Sequence, residues 1–132
     1  MGATHHGACL CGSIAFEVKG PLGDVVLCHC TQCRRANGGA FNVAVVVDSA
    51  AVTFSRREQV REFESSAGKL RGFCGGCGCA LYSRRRDRPD TLRLRGGTIT
   101  DLPQPVNLRH IWWQDRWPWI DTIFGAPKCD QE

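Results

Sequence analysis

Phe41-Asn42-Val43-Ala44-Val45-Val46-Val47-Asp48 sets Phe41, Val43, Val45 and Val47 on one side of an extended chain, opposite Asn42, Ala44, Val46 and Asp48. A period of two in β-branched residues is the pattern of a strand. Upstream, Ile14, Phe16 and Val18 alternate in the same way with Ser13, Ala15, Glu17 and Lys19. Shorter strands are predicted at residues 25–27, 51–54, 60–63, 70–73, 80–83, 92–95 and 107–112. Turn signals separate them: Gly20-Pro21, Gly38-Gly39, Ala67-Gly68, Pro89-Asp90 and Gly96-Gly97. No long stretch keeps helical spacing, and only short helical turns are expected, at residues 31–36 and 115–123. The expectation is one all-β domain over residues 1–132, built from short antiparallel strands.

The chain has 132 residues, enough for one domain with a hydrophobic core. Its 17 basic and 13 acidic residues give a net charge of +4, compatible with an anionic small molecule and too mild by itself to argue for nucleic acid. The first apolar stretch, residues 14–18, is interrupted by Glu17 and is too short for an export signal. The longest apolar run, residues 40–47, is far short of a membrane span. A cytoplasmic location is therefore expected, with no membrane partner. In that reducing setting nine cysteines, an odd number, point to metal binding or catalysis before disulfides.

Eight of the nine cysteines fall in three clusters: Cys9-x-Cys11, Cys28-x-Cys30-x2-Cys33, and Cys74-x2-Cys77 with Cys79 behind it. Tetrahedral zinc takes four ligands at about 2.0–2.3 Å, supplied in pairs by knuckles from separate loops. Gly12, Gly75, Gly76 and Gly78 suit backbone that curls around an ion. The simplest closed set is Cys9, Cys11, Cys74 and Cys77, which leaves Cys28, Cys30 and Cys33 as a three-thiolate site with an open position. Spacing also allows Cys28 and Cys30 to pair with Cys74 and Cys77, which would leave Cys9 and Cys11 idle.

The strings Gly7-Ala8-Cys9-Leu10-Cys11-Gly12, Cys28-His29-Cys30-Thr31-Gln32-Cys33-Arg34-Arg35 and Phe73-Cys74-Gly75-Gly76-Cys77-Gly78 resemble the glutathione-dependent formaldehyde-activating enzyme family, to which centromere protein V is related. The segment at residues 105–119, with His110-Ile111 and Trp117-Pro118-Trp119, is also similar, so the likeness covers about residues 7–121. The resemblance implies a β-tent of stacked antiparallel sheets with zinc knuckles. It implies a structural zinc on Cys9, Cys11, Cys74 and Cys77, and a second, catalytic zinc on Cys28, Cys30 and Cys33. It also implies carbon–sulfur lyase activity on glutathione adducts. Cys79 departs from the family's pattern, which commonly has a small hydroxyl residue there; it is expected to be a small buried substitute, the alternative being a fourth ligand to the middle site.

Three thiolates outweigh the charge of a zinc ion, so the middle site suits a soft incoming thiol better than hydroxide generation. Glutathione or a similar thiol is the expected partner, bound as an aldehyde adduct such as S-hydroxymethylglutathione. Arg34 and Arg35 stand beside the triad as candidate carboxylate clamps, and His110 as a candidate substrate or acid–base group. The plainer readings are solvated arginines and a packed histidine. His29 alternates with Cys28 and Cys30, so it is expected to point away from them. His5 and His6 read as a loose N-terminus, Cys129 as a surface thiol, and Arg84, Arg85, Arg86 and Arg88 as a charged hairpin tip. Of Trp112, Trp113, Trp117 and Trp119, some are expected in the core and others on a pocket wall or interface. Two other functions fit the composition: a zinc-stabilised nucleic-acid or chromatin module, which no recognition motif favours, and a thiol redox sensor.

Overall fold

A computed structural model describes residues 3–131. Its strands are β1 (Thr4–Ala8), β2 (Ala15–Lys19), β3 (Val25–Cys28), β4 (Asn42–Asp48), β5 (Val52–Phe54), β6 (Val60–Ser66), β7 (Lys69–Cys74), β8 (Ala80–Arg85), β9 (Arg88–Arg95) and β10 (Leu108–Ile111). One α-helix, α1 (Thr31–Asn37), and five short 3-10 turns complete the described residues. No helix among them is long and apolar enough to cross a membrane.

The strands form two sheets, β1-β2-β5 and β10-β3-β4-β9-β8-β7-β6. The small sheet packs Phe16 and Val18 against Val45, Val47, Leu92 and Leu94 of the large one, with Ile14 and Leu81 fully buried between them. Phe54 bridges the two layers, its ring centroid 5.5 Å from Phe16 and 5.6 Å from Tyr82. This is the alternation read from residues 14–18 and 43–47, with the apolar side turned inward, whereas Phe41 precedes β4 and packs on His29. The other side of the large sheet is polar yet also covered: Asn42, Arg71, Ser83 and Arg95 are all buried there.

Three features depart from the sequence expectation. Residues 4–8 form β1, so His5 and His6 lie in a strand, paired with Val18 and Glu17. The pairing of β10 with β3 is parallel, whereas every strand was expected to be antiparallel. The stretch expected to be helical at residues 115–123 instead carries separate 3-10 turns, Trp113–Asp115 and Ile120–Gly125.

β1 approaches its neighbours so closely that only glycine fits at position 7. A Cβ there would run into the Phe16 ring and lie 2.5 Å from the carbonyl oxygen of Thr98. The backbone of Thr98 cannot withdraw without disturbing the Gly7–Ile99 bridge. Gly7→Ala is therefore expected to destabilise the protein by about 2–3 kcal/mol through overpacking, read as a lower denaturation midpoint at unchanged slope.

Candidate metal centres and the adjoining cleft

The first cysteine knuckle fills the turn between β1 and β2. Gly12 there adopts φ 78°, a left-handed conformation that favours glycine, and its N–H donates to the Cys9 carbonyl at 3.1 Å. The second knuckle closes the end of β7, where Gly78, also at φ 78°, donates to the Cys74 carbonyl at 2.8 Å. Packing of the two sheets brings these turns together, so Cys9, Cys11, Cys74 and Cys77 place their sulfurs within 4.8 Å of one another.

The donor set fits a tetrahedral thiophilic ion. Cys9 and Cys11 sulfurs are 3.6 Å apart and Cys11 and Cys74 sulfurs 3.9 Å. Four sulfurs at about 2.3 Å from a central zinc would be separated by about 3.8 Å. Backbone N–H groups donate to the sulfurs: Ile14 to Cys9 at 3.4 Å, and Gly76 and Cys77 to Cys74 at 3.3 and 3.5 Å. Burial raises the Cys9 thiol, but the Ile14 amide and the neighbouring sulfurs outweigh it and bring it down to about 6. Ser13, not singled out from the sequence, lies 3.1 Å from the Cys11 sulfur and 3.8 Å from that of Cys74. Its place two residues beyond the Cys-x-Cys pair was the only available signal.

Cys28, Cys30 and Cys33 form a second, separate group within 4.8 Å. Cys28 ends β3, and Cys30 is the N-cap of α1, its sulfur accepting the Cys33 N–H at 3.2 Å. Cys33 faces the large sheet from the first turn of the helix and is buried. Arg71 reaches up from β7 and donates to Ser65 Oγ at 2.9 Å, Gln32 Oε1 at 3.1 Å and Cys33 Sγ at 3.7 Å. The Cys28 hydrogen bond holds Cys33 down to about 4 against burial, helped by Arg71 and Lys69. Sharing a proton with Cys33, together with burial, pushes Cys28 upward in turn. Arg95, also buried, is lowered to about 10 by burial and by Arg71, and stays charged at neutral pH.

A cleft of about 270 Å³ opens beside the triad. Its wall includes Lys69, Arg84, Arg85, Arg88 and Arg93. The arginine run is a hairpin tip as expected, and its inner members also line this cleft. Arg84 is held in place by a bidentate pair to Glu62, at 2.7 and 2.8 Å, and Tyr82 donates to the same carboxylate at 2.7 Å. Arg84, aided by Tyr82, holds the Glu62 carboxyl down to about 2 despite partial burial.

The residues singled out from the sequence as substrate groups sit elsewhere. Arg34 donates to the His29 carbonyl at 3.3 Å and stacks over Trp117, 4.2 Å from the ring centroid. With Arg35 and Trp119 it lines a groove on the far side of α1. His110 lies on β10, its Nδ1 2.8 Å from Nε2 of His29. His29 is fully buried against Phe41 and Trp113, belongs to neither thiol group, and is kept from protonating by burial and by the nearby charges of His110, Arg116 and Arg34. Cys79 also lies outside both groups, packed against the core with its thiol 3.5 Å from the Ala80 carbonyl oxygen. None of the four tryptophans is buried, contrary to the expectation that some fill the core. Trp112 lines the triad's cleft.

Two stacked sheets carrying a four-cysteine knuckle cluster and a separate cysteine triad define a thiol-rich β-fold with two candidate metal centres. The chain belongs to the family described as glutathione-dependent formaldehyde-activating enzyme, which it matches over residues 4–115. Among solved structures it is similar to a crystal structure of a Rhodobacter sphaeroides protein, with a TM-score of 0.63 and 21% identity over 80% of this chain and 98% of that one. At that identity the likeness speaks for the fold.

Proposed function

We propose that the protein is a zinc-dependent carbon–sulfur lyase or synthase acting on adducts of glutathione, or a similar thiol, with an aldehyde such as formaldehyde. The observation that carries this reading is the triad of Cys28, Cys30 and Cys33, gathered at a cleft and separate from the four-cysteine cluster. Cys9, Cys11, Cys74 and Cys77 are assigned a structural zinc, and the triad a second one. When bound there, that second ion supplies an open position that keeps an incoming thiol deprotonated near neutral pH.

The chain's own residues do the rest. Arg71 fixes α1 through Gln32 and supports the negative charge on Cys33. The cationic wall of the cleft holds the remote anionic end of the thiol, while the triad orients its sulfur. In the synthetic direction the sulfur–carbon bond forms and the thiol proton ends on the aldehyde oxygen; in the lytic direction both changes reverse. Family membership supports a glutathione-dependent enzyme. Arg34, Arg35 and His110 remain proposed as substrate contacts lying outside the cleft wall.

The test is zinc per chain on reduced protein, followed by glutathione titration of a cobalt-substituted triad and an assay of adduct formation. About two zincs, a shifted cobalt spectrum and faster formation of S-hydroxymethylglutathione are expected. An unperturbed spectrum together with an unaccelerated reaction would sink the reading.

A further inference from the structure

The charge pattern of the cleft restricts which thiol it takes. Lys69, Arg85 and Arg88 stand directly opposite one another across β7, β8 and β9. Like charges in register weaken a sheet, so this row opposes folding unless an anion lies over it. Carboxylates already answer two of the five cations in the wall: Glu62 binds Arg84 and Asp87 binds Arg85. Among the described residues Lys69, Arg88 and Arg93 have no carboxylate within ion-pair distance and no carboxylate lines the cleft; the anion that Lys69 faces is the Cys33 thiolate. Lys69 is partly buried and its ammonium is disfavoured chiefly by that burial, so an anion placed beside it is worth more than one at an open surface.

From this we infer that the cleft prefers a thiol carrying two or more anionic groups and no ammonium group. Three cations without a carboxylate partner favour carboxylates or phosphates on the ligand. An ammonium, such as that of the γ-glutamyl end of glutathione, would enter among like charges, since the only groups of opposite sign in the cleft are the triad's thiolates, committed to the metal assigned there. This rests on the reading of the triad as the seat of the thiol sulfur, and it sharpens the ligand class from thiols in general to polyanionic ones.

Two matched pairs of thiols separate the possibilities on the cobalt-substituted full chain: glutathione against N-acetylglutathione, which lacks the ammonium, and pantetheine against 4′-phosphopantetheine, which adds a phosphate. Dissociation constants come from the cobalt absorption bands at low and at physiological salt. The second member of each pair is expected to bind about tenfold tighter at low salt, with the advantage shrinking as salt screens it. In the double variant Arg88→Gln, Arg93→Gln the advantage should fall to about twofold. Arg88 is exposed and Arg93 only partly buried, so the fold should tolerate both changes. Equal binding within both pairs would overturn the charge preference and leave the thiol site standing. No spectral change with any of the four thiols would overturn both.

Discussion

Replacing Cys74 by serine is expected to leave the chain largely unfolded, with loss of the zinc proposed for the four-cysteine cluster. Cys74 is fully buried at the end of β7, and its sulfur accepts two backbone N–H groups while lying beside Ser13 and Cys11. It joins the large sheet to the turn between β1 and β2, so an ion held there clamps the two layers that enclose the core. A structural zinc supplies on the order of 10 kcal/mol of folding free energy in small domains. That is comparable to the whole stability of a typical domain, about 5–15 kcal/mol. Far-ultraviolet circular dichroism and zinc content on the purified variant check this, with Cys129→Ser, at an exposed tail position, as the control expected to match the parent. A folded Cys74→Ser protein retaining two zincs would remove the cluster's structural role.

The second large effect separates the other way. Cys33→Ala is expected to keep the fold, lose the triad's metal and lower turnover by about a thousandfold or more. Folding survives because Arg71 keeps its bonds to Ser65 and Gln32, and because Cys30 still caps α1. Arg71→Met should act more mildly, at about ten- to a hundredfold, as expected for a group that positions a ligand without being one. The cobalt spectrum distinguishes the two: it should vanish at the triad in Cys33→Ala and only shift in Arg71→Met. Undiminished turnover in Cys33→Ala would remove the triad from the chemistry.

The cysteines were the most legible part of the sequence because ligand spacing is a local property. Cys28, Cys30 and Cys33 lie within one strand end and one helical turn, and two knuckles with a left-handed glycine after the second cysteine advertise themselves. The sheet was legible wherever one face alternated cleanly, as at Ile14, Phe16 and Val18. β1 was not, since Gly7 and Ala8 are residues that strands disfavour and the segment is held extended by pairing with β2. Strand direction leaves no trace in alternation, which is why the parallel pairing of β10 passed unseen.

The cationic shell was hidden for a subtler reason. The run Thr91-Leu92-Arg93-Leu94-Arg95 reads as leucines inward and arginines to solvent. Yet Arg95 is buried, as is Arg71 on β7, because α1 and the β6 edge cover that second face. Alternation divides a strand into two sides without saying what lies over each. A charged residue in a strand beneath a separate helix becomes recognisable only once the helix is placed.

The spacing of the two thiol groups along the chain sets an order of events during synthesis. Cys11 and Cys74 are separated by 63 positions, so the four-cysteine cluster cannot close until most of the large sheet has left the ribosome. The triad is complete within six consecutive residues and emerges far earlier. A nascent chain therefore exposes the triad's three thiols, with Cys9 and Cys11 already ahead of them, before the layers that will bury them exist. The triad's sulfurs are gathered by one strand end and one helical turn, whereas those of the knuckles meet only as the two sheets pack, so the second group depends on the fold in a way the first does not.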